Sequence, residues 1–364
     1  MKFRKLSALL SLVLAGVLLT GCSREPAPVP EPTEAPGAMT LTQEKTVKRE
    51  KFRDNPDYEA FLSAARQGSY VPGLAQHLIP QGITASETTG LTYVTAYGAA
   101  PTTPSVIAVL DTETGTLQGE YWLYQDEDTV FTGHVGGVAA AGNWLYLSAG
   151  RDEEEDYRIA RLDLRELPEQ GSHRVILEDF IKVQTLPSFL SAGNGYLFIG
   201  NFYHPKGKYP LPDTVAAPVE TADGPQGSFI VACRLDDQGG LTMEGHYPRA
   251  ELLLSAPDRI QGLCVWDGQI LLSQSYGRKN DSAFLAYSAD SLPVSEPLTL
   301  CGQQLPVYIL DSRSHTGSLT AMPMAEGICP GPGGSICLLF ESGAGKYDDG
   351  RDRTDTLWYL DLPS

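Results

Sequence analysis

Residues 259–276 read RIQGLCVWDGQILLSQSY. Two short apolar runs flank Asp267-Gly268, a dipeptide suited to the left-handed backbone of a tight hairpin turn. Four polar residues, Ser273 to Tyr276, follow the second run. The pattern recurs along the chain. It returns as QGITASETTGLTYVTAY (81–97), GGVAAAGNWLYLS (136–148), SFLSAGNGYLFIG (188–200) and EGICPGPGGSICLLF (326–340).

The register of the five copies agrees in detail. A large aliphatic residue follows the shared glycine position in every copy: Ile83, Val138, Leu190, Leu263 and Ile328. A small one follows it: Thr84, Ala139, Ser191, Cys264 and Cys329. Only Phe189 replaces the glycine itself. Small side chains at a repeated position suit a crowded axis where inner strands converge.

A third strand after each hairpin ends at an aspartate (Asp111, Asp163, Asp236, Asp290, Asp361), read as a turn former bonding its own backbone. Fourth strands are expected at 117–124, 173–180, 241–248 and 306–312, after short turns. Five copies of a four-stranded unit resemble the β-propeller class. The expectation is an all-β, five-bladed propeller of antiparallel blades; a six-bladed ring and a two-sheet sandwich are the rival architectures. The last copy lacks its fourth strand, so the ring is expected to close with N-terminal chain, from 68–80 or part of 41–53. Residues 56–67 read as a short helix packed outside the ring, with Asp54 or Asn55 as its cap and Pro56 at its first position.

The chain begins with Lys2, Arg4 and Lys5, runs through the apolar stretch Leu6–Leu19 and reaches Leu19-Thr20-Gly21-Cys22. This resembles the lipobox of bacterial lipoproteins. The resemblance implies cleavage after residue 21, lipid on the Cys22 sulfur and an extracytoplasmic protein held to the cell membrane. Residues 22–40 are rich in proline and form a semi-rigid spacer. Residues 41–80 then supply the helix and ring-closing segment, and 81–364 the propeller. Loss of the leader takes the net charge from −18 to −21. A chain this acidic is repelled by phosphate backbones and anionic lipid surfaces, so no nucleic-acid partner is expected and membrane attachment falls to the lipid. Beyond Cys22, the cysteines are Cys233, Cys264, Cys301, Cys329 and Cys337. Their number is odd, and none forms a CxxC pair that would signal zinc.

The second-to-third-strand loops are long and polar: 98–104, 150–157, 203–227, 276–282 and 341–355. They share a face with the entries into the inner strands, which makes that face the expected binding side. The entry residues Gln81, His134, Ser188, Gln261 and Glu326 are expected around the channel mouth. Tyr276, Arg278, Lys279 and Asn280 suit stacking and directional hydrogen bonds to a carbohydrate or peptide, and Tyr97, Tyr203 and Tyr347 stand at comparable loop positions.

Two functional classes follow. The first is a module that binds a carbohydrate or an envelope protein on the loop face. The second is a hydrolase or lyase of the gluconolactonase type, acting on a sugar or lactone, with His134 and Glu326 as candidate acid–base groups. No resident cofactor is expected on the first reading. On the second, calcium or another divalent cation would sit at Glu326, although calcium requires more oxygens than the entry ring supplies. The bland reading of His134 is a ring satisfied by backbone carbonyls. The acidic run 152–156 reads as a solvated loop tip. No G-x-S-x-G elbow occurs, and CPGPGG (329–334) lacks the Lys-Ser/Thr of a phosphate loop.

Overall fold

The computed structural model describes residues 40–361 except 208 and 214. The expected leader, Cys22 and nearly all of the proline-rich spacer lie outside the described residues. The chain forms a five-bladed β-propeller. The first strands of the blades are Leu78–Ser86, Val138–Ala141, Phe189–Gly193, Ile260–Trp266 and Ala325–Pro330, and each touches the next around a closed ring. Second strands Leu91–Gly98, Trp144–Arg151, Tyr196–Gly200, Gln269–Gln274 and Ile336–Phe340 pair antiparallel with them. The opening stretch is thus the inner hairpin of the fourth blade. Its turn has φ of 45° at Asp267 and 70° at Gly268, the left-handed pair that matches strand twist.

The repeated glycine belongs to the ring. A Cβ on Gly137 would lie 2.5 Å from the Leu190 nitrogen, and one on Gly327 would lie 2.8 Å from the Ile83 nitrogen. The inner strand of the next blade fills the space a side chain would need. Phe189 escapes this limit because its ring lies over Gly200, where an added Cβ would meet it at 2.0 Å.

Five apolar clusters fill the five inter-blade spaces. Tyr93, Ile107, Leu145 and Leu147 join the first two blades. Ile83, Val94, Leu339 and Tyr359 join the last to the first. The first and second strands of each blade bury most of both faces, so they read as near-continuous apolar runs, whereas outer strands such as His315–Ala321 expose one face.

The ring closes as a velcro of the two chain ends: Ala65–Tyr70 pairs antiparallel with Thr356–Leu360. The expected closing segments need correction. The strand begins before residue 68, and 41–53 supplies none of it. The expected helix is correspondingly shorter. Asn55 caps a 3₁₀ turn over Pro56–Tyr58, accepting from the Asp57 N–H at 3.1 Å, and an α-helix over Glu59–Ala64 follows. It lies outside the ring: Phe61 packs on Trp358, Phe284 and Phe340, wedged between the fourth and fifth blades.

The fourth strands differ from expectation in three blades. Leu117–Tyr124 serves the first blade as read. In the second, Gly171–Ile176 pairs parallel with Leu117–Tyr124 of the first blade, and the true fourth strand is Phe180–Lys182. In the third it is Ala250–Ala256 rather than 241–248. In the fourth, Gln303–Ile309 pairs parallel with Ala250–Ala256 of the preceding blade, and the true fourth strand is His315–Ala321. The third-to-fourth connections are therefore short in the first blade alone. The excursions cover outer edges that would otherwise present unpaired backbone groups.

Candidate functional site

Three inner strands carry a bulge at the same point. Register shifts fall between Pro80 and Ile83, between Ile260 and Gly262, and between Ala325 and Ile328. The residues in these gaps include Gln81, Gln261 and Glu326. A bulge releases a residue from the alternation of a strand and re-aims its side chain. Here all three line one cavity of about 510 Å³ at the channel mouth. The Thr95 hydroxyl holds the first of these distortions, accepting from the Gly82 N–H at 2.9 Å and donating to the Val135 carbonyl at 2.8 Å.

His134, Ser188, Tyr276 and Arg278 line the same cavity, as do Tyr97 and Tyr347. Tyr203 and Asn280 are not among its lining residues. The Tyr203 ring instead lies against Gly227, inside its own long loop. The Asn280 side chain donates to the Tyr276 carbonyl at 2.7 Å, so it shapes the rim without facing the cavity. Sequence reading missed Glu341, Lys346, Phe202 and Tyr209, which also line it. Glu341 directly follows a second strand, where the signal would have been a polar residue at a strand exit rather than at an entry.

The floor is a pair of carboxyl groups. Glu326 and Glu341 hydrogen-bond each other. The Gln261 side-chain amide donates to Glu326 Oε1 at 3.2 Å. Glu341 Oε2 accepts from the Gln81 amide at 2.9 Å and from the Tyr347 hydroxyl at 2.7 Å. Burial, then the adjacent Glu341, holds the Glu326 carboxyl well above the usual carboxylate range. Burial also raises Glu341, while the bonds from Tyr347, Glu326 and Gln81 favour its charged form. Both groups are therefore held above the usual carboxylate range, Glu326 the more strongly, because like charges so close resist ionising together.

His134 forms a wall. Its ring meets Tyr97 with centroids 4.5 Å apart, and Lys346 Nζ donates to the Tyr97 hydroxyl at 2.8 Å. The imidazole opens on the cavity, yet the surrounding protein desolvates it. Desolvation, aided by the Lys346 charge, pushes its pKa down to about 4. The ring is therefore neutral at physiological pH. His134 and Glu326 line the same cavity, and the side chain next to Glu326 is Glu341. The opposite wall is aromatic: Phe202 packs edge-on against Tyr209 at 4.9 Å and lies 6.3 Å from Tyr276, which meets His204 at 4.2 Å. Arg278 on the rim pairs with Asp349 at 2.5 Å.

Among the described residues, no cluster of three or more His, Cys, Asp or Glu is placed to hold a metal ion. Glu326 and Glu341 alone do not supply the oxygens of a calcium site.

No family model matches the chain, and no curated protein matches it. Solved structures do. A GH43_1 enzyme from Xanthomonas citri complexed with xylotriose is 12% identical, with a TM-score of 0.43, covering 84% of this chain and 92% of that one. The PQQ-bound aldose sugar dehydrogenase of Streptomyces coelicolor is 14% identical, with a TM-score of 0.37, covering 78% and 93%. The tail fiber of Staphylococcus aureus phage P68 is 13% identical, with a TM-score of 0.40, covering 79% of this chain and 50% of that one.

Proposed function

We propose that this is a lipid-anchored, extracytoplasmic propeller that binds a small polyhydroxylated ligand, of the carbohydrate class, in the channel-mouth cup. The supporting observation is the composition of the cup: an aromatic wall at Phe202, Tyr209 and Tyr276 facing a hydrogen-bonded floor at Glu326 and Glu341. Sugars present apolar faces that stack on aromatic rings and hydroxyls that need both donors and acceptors. The test is calorimetry of the folded protein against a panel of mono- and oligosaccharides. A ligand is expected whose affinity falls roughly tenfold in Tyr276→Ala, about 1.4 kcal/mol. Failure of the whole panel would remove the carbohydrate reading and leave an envelope-protein partner to be sought. The anchor is tested separately: Cys22→Ala should move the protein from the membrane fraction to the soluble one.

A second reading is favoured by one observation, the adjacent buried carboxyl groups of Glu326 and Glu341. Two-carboxylate glycosidases separate their groups by about 5–5.5 Å or more to accommodate a sugar or water between them. The hydrogen-bonded pair here is closer than that. It suits a proton-sharing unit acting at one carbonyl carbon, with Glu341 drawing a proton from water and Glu326 donating one. Lactone or sugar-ester hydrolysis abolished by Glu326→Gln, with sugar binding retained, would support it.

A further inference from the structure

Cys329 and Cys337 stand directly opposite each other on antiparallel strands of the closing blade. Residues so paired point to the same face of a sheet. Both belong to the apolar cluster between the last blade and the first, whereas Ile328, Ile336 and Leu338 belong to the cluster on the other face. In the structure both are buried free thiols, and Cys337 perturbs Cys329. Opposed residues in antiparallel pairs have Cα atoms about 4.5–5.5 Å apart, inside the roughly 4.4–6.8 Å that a disulfide spans. We infer that Cys329 and Cys337 form a cross-strand disulfide that clips the inner strand of the closing blade to its neighbour.

Two other buried cysteines provide the contrast. Cys233 sits within the cluster between the second and third blades, which contains no other cysteine. Cys264 holds the same repeat position as Cys329, but opposes Leu271 on its own sheet. It packs in the cluster on the opposite face of the closing blade. Both act as small apolar side chains. The paired thiols lie on either side of the tight turn at Gly331–Ser335, where the Gly331 N–H donates to the Ser335 carbonyl at 2.7 Å. The turn holds the two strands in register before any bond forms.

The same inner strand carries Glu326, so the clip fixes the strand that bears half of the carboxyl pair. Oxidation proceeds by exchange with a small-molecule disulfide such as oxidised glutathione. One thiolate attacks the oxidant and releases a glutathione thiol. The second thiol then displaces the other glutathione. One protein S–S bond forms, the oxidant's S–S bond breaks, and the two thiol hydrogens and two electrons end on two glutathione thiols.

The test uses the full chain, reduced and unfolded, then refolded in a mixture of oxidised and reduced glutathione. The native fraction is quenched in acid, alkylated in denaturant without reductant, and digested with trypsin. No Lys or Arg lies between Arg313 and Lys346, so both cysteines fall in one peptide, 314–346. It is expected unalkylated and lighter by two hydrogens than its dithiol form, while the 260–278 peptide with Cys264 is fully alkylated. A 314–346 peptide bearing two alkyl groups would overturn the inference. So would a cross-link to the Cys264 peptide, or a retained glutathione adduct.

Discussion

The side-chain amide of Gln261 donates to Glu326 Oε1 at 3.2 Å. The two residues occupy the same place in adjacent copies of the repeat, each at an inner-strand bulge. A repeat that places equivalent positions around an axis makes them neighbours, so divergence at that position builds an asymmetric site from a symmetric frame. Glu326 to Gln is then a change toward the residue that the first and fourth blades already carry.

That substitution makes the first prediction. The folded Glu326 holds its proton to a higher pH than the unfolded chain, whose carboxyl has the ordinary value of 4.5. Its contribution to stability is therefore full below that value and is lost as pH rises through the raised folded value. Glu326→Gln mimics the protonated state at every pH. The melting temperature of the variant should gain on that of the parent as pH increases from about 4.5 upward. A constant offset across the range would refute the protonated assignment.

Glu341→Ala should behave differently. It removes the acceptor of the Tyr347 hydroxyl and one of the two acceptors of the Gln81 amide, which keeps its bond to the Pro80 carbonyl. A buried donor left without a partner, here the Tyr347 hydroxyl, costs roughly 1–3 kcal/mol. Urea unfolding near neutral pH should show a loss of that size, and Glu341→Gln a smaller one.

His134 offers an opposite sign. Its pKa of about 4 lies below the ordinary imidazole value of 6.5. The unfolded chain binds the extra proton between those values, so stability rises with pH across that window and is lost on acidification. Histidine NMR titration should place one midpoint near the depressed value. Lys346→Met should raise that midpoint, because the ammonium is part of its cause.

Much of this architecture was legible in the sequence. The register of Ile83, Val138, Leu190, Leu263 and Ile328 marked the inner strands because each must fill the same inter-blade space. The entry positions Gln81, His134, Ser188, Gln261 and Glu326 reached one cavity because a ring converges whatever its blades contain. The outer strands were not legible. Residues 173–180 and 306–312 are β-rich, but alternation does not state which sheet edge a strand joins, and both segments hold strand residues that joined the preceding blade. Glu341 is not marked in the sequence because its role depends on the opposing Glu326, with 14 residues between them in the chain. Nothing local marks such a pair.

The last prediction concerns the crowded axis. A Cβ on Gly137 would lie 2.5 Å from the Leu190 nitrogen and 2.6 Å from Ser148 Oγ. The first neighbour is backbone of the next blade and cannot rotate away. Ser148 Oγ in turn accepts from the Gly137 N–H at 2.9 Å, so relief by moving that side chain breaks a buried hydrogen bond. Gly137→Ala should therefore destabilise by about 1–3 kcal/mol or more, as overpacking of a filled core does. Gly317, on the outer strand of the fourth blade, meets nothing within 4 Å, and Gly317→Ala should stay within about 0.5 kcal/mol of the parent. Equal effects in the two variants, measured by urea unfolding, would show that the repeated glycine is not set by the approach of the next blade. A large loss confined to Gly137 would tie the most regular feature of the sequence to ring closure itself.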